Sequence, residues 1–109
     1  MKDDRLYLIH IKECIERIES YVAGKDKRQF LDSTLIQDAI IRNLQVLAES
    51  TQRLSDDTKE SQNRVDWFKI AGFRNVLVHD YLGIEIERVW NILEKDLPVL
   101  KEAVKSMLE

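Results

Sequence analysis

The chain has 109 residues, 44% of them hydrophobic and 34% charged, with three glycines, one proline and a formal net charge of −3. That size fits one domain around one core, residues 1–109. The scarcity of glycine and proline excludes a strand-and-turn fold, and the hydrophobic share excludes a disordered chain, leaving a soluble helical protein. An acidic balance also excludes a protein that holds nucleic acid by bulk phosphate neutralisation, but it leaves room for a small pocket with a few well-placed cations.

From Asp3 to Val22 the apolar positions Leu8, Ile11, Ile15, Ile18 and Val22 recur at steps of three and four. This is one face of a first helix, with Gly24 as its stop. Within it, Cys14 has no second cysteine to bridge to, and His10 has no motif around it, so His10 reads as structural or exposed. The start of the chain lacks a basic, apolar and cleavable leader, and no apolar run nears the roughly 20 residues that span a bilayer, so the expectation is a cytoplasmic protein without a membrane role. The charged residues Lys25 to Arg28 form a polar connection to a second helix, capped by Asp32 or Ser33, striped by Ile36, Ile40, Leu44 and Leu47, and running to about Leu54. Asn43 falls on that stripe and must find hydrogen-bond partners there.

Ser55 to Arg64 holds no large apolar residue and reads as a loop. A third helix starts after Asp66, a good cap, and runs through Trp67 to Tyr81 or Leu82, where Gly83 ends it. A fourth begins at Ile84 or Glu85 and carries Val89, Trp90 and Leu93. Pro98 then kinks it or opens a short fifth helix capped by Asp96. Trp67 and Trp90 read as core residues. The fold expected from this pattern is all-α: an up-and-down bundle of four helices, with or without a short fifth.

The third helix is unusual. At about 100° per residue, Trp67, Ile70, Ala71, Arg74, Leu77, Val78 and Tyr81 share one broad face, while Phe68, Phe73 and Val76 lie on the other with Asn75 and His79, which are four apart and can touch. A helix apolar nearly all round is buried on both sides. In a small bundle one of those sides would face water, so a second copy of the chain is the expected cover. A cation, an imidazole, an amide and a phenol within eight residues of such a helix need more compensation than stability alone favours. Asp80 points elsewhere and reads as solvated or salt-bridged.

The run R-N-x-x-x-H-x-Y at Arg74 to Tyr81 resembles the R-x4-H-x-Y signature of the HEPN superfamily, in particular its HepT-like toxin branch. The likeness extends to Y-V-A-G at Tyr21 to Gly24, Q-D-A-I-I-R-N-L at Gln37 to Leu44, F-R-N-V-L-V-H-D-Y-L-G at Phe73 to Gly83 and V-W…D-L-P at Val89 to Pro98, in the expected order. Asp66 and Glu85 depart from the family's common proline and aspartate, both at helix starts. The resemblance implies a HEPN-like bundle acting as a homodimeric, metal-independent endoribonuclease with no cofactor, the toxin partner of a minimal nucleotidyltransferase antitoxin that transfers AMP to the motif tyrosine, here Tyr81.

The residue chemistry fits RNA cleavage, which needs a base for the 2′-hydroxyl proton, an acid for the leaving 5′-oxygen and a cation for the charge on phosphorus. His79 can serve as base or acid, Arg74 can fork onto two phosphate oxygens, and Asn75 or backbone groups can hold the imidazole in one tautomer. One chain offers a single motif histidine, so two copies of His79 across a dimer would supply acid and base together. Arg74 and His79 also stand about 140° apart on an ideal helix, a gap that a dimer, arginine's length or a helix end near Tyr81 can close. AMP on Tyr81 would place a negative group beside Arg74 and exclude an RNA phosphate; the alternative is an interface tyrosine with a satisfied hydroxyl. Two other functions compete: a catalytically inactive helical module that dimerises and binds the nucleotidyltransferase, and a bundle that senses nucleotides through Arg74.

Overall fold

A computed structural model of the chain describes the backbone of residues 2–79 and 86–109 and the side chains of residues 4–74 and 86–109. The expected first stripe is buried along α1 (Lys2–Val22), where Leu8, Ile11, Ile15 and Ile18 all face the core with the free thiol of Cys14. Gly24 ends it with a φ of 72°, a left-handed conformation that glycine adopts without a Cβ penalty.

The polar connection contains a short helix that the charge pattern concealed. In α2 (Lys27–Leu31) the Asp26 carboxylate accepts from the Gln29 N–H at 2.9 Å and the Gln29 side chain accepts from the Asp26 N–H at 2.9 Å, a complete capping box. Phe30, fully buried, anchors it 5.2 Å from the Trp90 ring. Ser33, one of the two expected caps, starts α3 (Thr34–Gln52) by accepting from the Ile36 N–H, whereas Asp32 closes α2. In α3, Ile40, Leu44 and Leu47 are fully buried. Asn43 is half-buried and its amide donates to the Ala39 carbonyl at 2.9 Å, a structural hydrogen bond of the kind its position required.

The expected loop at Ser55 to Arg64 is instead partly helical. Ser55 caps α4 (Asp56–Glu60), and the buried carboxylate of Asp4, reaching over from α1, accepts from the Ser55 N–H at 3.0 Å, from the Ser55 hydroxyl at 2.6 Å and from the Thr58 hydroxyl. The Trp67 indole N–H donates to the Lys59 and Gln62 carbonyls. A segment without large apolar residues is thus held by polar ties from its two neighbours, which hydrophobic patterning does not register.

Asp66 accepts from the Lys69 N–H at the start of α5 (Trp67–His79). The expected end at Tyr81 or Leu82, the stop at Gly83 and the next start at Ile84 or Glu85 lie outside the described residues. Beyond them α6 (Ile86–Asn91) leads through a π-helical turn, Ile92–Asp96, into α7 (Leu97–Leu108). Pro98 lies in the first turn of α7 with Asp96 at the N-cap position, as one of the two readings had it, although that helix is twelve residues long and is entered without a side-chain cap. The proline has no N–H for the fourth carbonyl before it, and the wider turn, in which the Leu97 N–H donates to the Ile92 carbonyl, absorbs the mismatch. Asp96 makes no side-chain cap and pairs with Lys69 of α5 at 3.1 Å. The principal helices are arranged so that α3 packs on both α1 and α5, and α7 covers the other side of α1. Among the described residues no helix is long and apolar enough to cross a membrane.

Asp4 gives a direct test of this packing. The Ser55 hydroxyl first, then the Thr58 hydroxyl, hold its carboxyl below the ordinary aspartate range. The folded state therefore resists protonation, so the stabilisation is complete at neutral pH and is lost as pH falls below roughly 4. Asp4→Ala should lower unfolding free energy by about 1–3 kcal/mol at pH 7, and urea titrations should show that its deficit against the parent shrinks on acidification toward pH 3.

Candidate functional site

Among the described side chains of α5, Ile70 of the predicted face is buried, with Trp67 and Ala71 half-buried beside it, but so is Phe73, which the wheel put on the other side, and Phe68 is 91% exposed. Although it shares a face with apolar residues in the sequence, Arg74 is exposed, because α3 packs against Ile70 and Phe73 and leaves position 74 on its flank. From there the guanidinium runs to Glu49 of α3, with Nε 3.8 Å from Oε2 and both side chains about half exposed. The Gln52 amide donates to the Ala71 carbonyl one turn further along. Helix α5 continues through Asn75 to His79, so the backbone positions of Arg74 and His79 keep the about 140° offset of an ideal helix. The side chains of Asn75 and His79, and all of Asp80 and Tyr81, lie outside the described residues.

Beside Arg74 a cleft of about 420 Å³ opens between α1, α3 and α5. Its floor is a stripe of α3, Arg42, Gln45, Val46, Glu49, Ser50 and Arg53, recurring at the three- and four-residue steps of one helix face. Tyr7 and His10 of α1 form one wall and Arg74 the other. Arg53 stacks its guanidinium 6.0 Å from the centre of the Tyr7 ring, and His10 meets the same ring edge-on at 6.3 Å. Three arginines thus face one carboxylate, Glu49, in a chain whose total charge is negative. Such a cleft attracts anions, and its cations suit phosphate oxygens.

His10 is exposed, as one of its two sequence readings had it, but it shares a cleft with Arg74, which was not foreseen. Tyr7, Arg42 and Arg53 were missed altogether. The available signal was the spacing of Arg42, Glu49 and Arg53, seven and four apart on a polar face of α3, although nothing in that spacing points to α5. Trp67 and Trp90 are half-buried against the core, and neither lines the cleft.

The profile of the HepT-like family, described as Ribonuclease HepT-like, matches residues 11–107. A protein of Methanocaldococcus jannaschii named as a gamma-glutamylcyclotransferase and candidate RNase is 35% identical over 99% of this chain, which spans about half (49%) of that relative. A candidate RNase of Caldanaerobacter subterraneus is 31% identical over the whole chain and 97% of its own length. A probable ribonuclease HepT of Thermococcus cleftensis is 32% identical over 87% of the chain and 86% of its own length. No solved structure gives a significant match.

Proposed function

Because the chain belongs to the HepT-like ribonuclease family, a family of endoribonucleases, we propose that it is the toxin of a toxin–antitoxin pair. In this reading it is a homodimer that cuts RNA without a metal ion and is silenced when a minimal nucleotidyltransferase adenylylates Tyr81. The observation that carries this reading is the R-x4-H-x-Y run itself, whose Arg74 to His79 lie on α5, with Arg74 exposed beside a cleft rich in arginine.

In the reaction, the 2′-hydroxyl loses its proton to one His79 and its oxygen attacks phosphorus. The bond to the 5′-oxygen then breaks as the other His79 protonates the leaving group, giving a 2′,3′-cyclic phosphate and a free 5′-hydroxyl. Arg74 neutralises the charge that builds on the phosphoryl oxygens. Asn75 orients the imidazole. The exposed ring of Phe68 supports pairing of two α5 helices, since water otherwise covers it.

Three outcomes test the proposal. Light scattering at micromolar concentration should give twice the 12.9 kDa chain mass, and a monomer that still cuts RNA would remove the two-histidine mechanism. His79→Ala should slow cleavage by roughly 10² to 10⁴ and Arg74→Ala by roughly 10² to 10³, with both variants folded and the parent active in EDTA. Chelator-sensitive cleavage, or a His79 variant cutting at the parental rate, speaks against the chemistry. Tyr81→Phe should retain substantial cleavage yet escape silencing by the nucleotidyltransferase and ATP, whereas the parent gains the mass of one or more adenylyl groups; modification found on another residue refutes the assignment.

A further inference from the structure

The R-x4-H-x-Y run accounts for one phosphate, the one that is cut. It leaves unexplained why Arg42 and Arg53, eleven residues and three turns apart on α3, line the same cleft as Arg74. Neither has a carboxylate within ion-pair distance among the described residues; the carboxylate that lines the cleft, Glu49, faces Arg74. Both arginines are exposed, so stability does not require them where they are. Arg53 also already sits over the Tyr7 ring, 6.0 Å from its centre, and His10 meets that ring edge-on.

We propose that this cleft is a subsite for the single RNA strand flanking the scissile phosphate, in which Arg42 and Arg53 hold neighbouring phosphates and the Arg53–Tyr7 stack receives a base. Cations distributed over three helix turns match a strand with several phosphates better than a mononucleotide, whose charge sits in one place. Guanidinium planes and tyrosine rings are surfaces on which unpaired bases stack, and stacking accepts any base, so the subsite confers affinity and register and leaves sequence choice elsewhere. Glu49 has a matching role: it holds Arg74 at the cleft wall through an exposed ion pair weak enough for a phosphate to displace. The acidic chain thereby binds RNA along one track and repels it elsewhere.

The inference rests on the ribonuclease reading, and binding separates the two. A single-stranded 2′-O-methyl oligoribonucleotide cannot be cut, and its dissociation constant is read by fluorescence anisotropy across a salt series. Arg42→Gln and Arg53→Gln should each weaken binding about tenfold. In the double variant the slope of log Kd against log salt should fall by about 1.4, the value for two lost phosphate contacts on a single strand. Arg17→Gln, the same charge loss on an exposed position of α1 outside the cleft, should bind as the parent does. Tyr7→Leu should lose affinity that Tyr7→Phe retains, with thermal unfolding showing both folded. Parental affinity and salt slope in the double variant overturn the subsite, as does displacement of the RNA by AMP at equal affinity, which assigns the cleft to a mononucleotide. A parent that binds with this dependence on Arg42 and Arg53 but never cuts RNA leaves the subsite standing and removes the catalytic reading.

Discussion

Burial of α3 on two sides is the constraint from which the rest of the domain follows. Ile40, Leu44, Leu47 and Ala48 are wholly removed from water, and α3 packs against α1 on one side and α5 on the other. A helix wedged this way has one strip left for solvent. That strip, Arg42 to Arg53, becomes the floor of the cleft because the flanking helices rise on each side of it. Packing and site are therefore two faces of one helical period.

The position of Arg74 depends on the same wedge. Ile70 and Phe73 insert toward α3, and Arg74, one residue past Phe73, emerges at the seam within reach of Glu49. A salt bridge of this exposure contributes little to stability, so its value lies in direction. The pair keeps the guanidinium beside Glu49 in the cleft lining. Ties that do stabilise the fold lie farther off, where the buried Asp4 carboxylate and the Trp67 indole restrain α4 and the turns after it.

Charge looks different at the two scales. A net −3 argues against general nucleic-acid binding, and for the surface as a whole that argument holds. Locally, three of the chain's arginines meet one carboxylate in a cleft of a few hundred cubic ångströms. A negative total charge and a locally cationic cleft are therefore compatible.

The sequence by itself determined the all-α class, the helix that Gly24 ends, the Asp66 start and the R-x4-H-x-Y run with its family, because each rests on local periodicity, a cap or a contiguous motif, and it narrowed the second cap to Asp32 or Ser33. It did not reveal α2 or α4, whose residues are polar and whose order comes from a capping box and from Asp4, 51 positions before Ser55. Nor did it place Arg74 at a seam or Phe73 in the core, since an ideal wheel cannot know on which arc the neighbouring helix lands. Only the tertiary structure decided that Tyr7, His10, Arg42, Arg53 and Arg74 share one cleft. They sit on three helices, and which side chains meet across helices is fixed by how those helices pack, a property that no stretch of sequence carries alone.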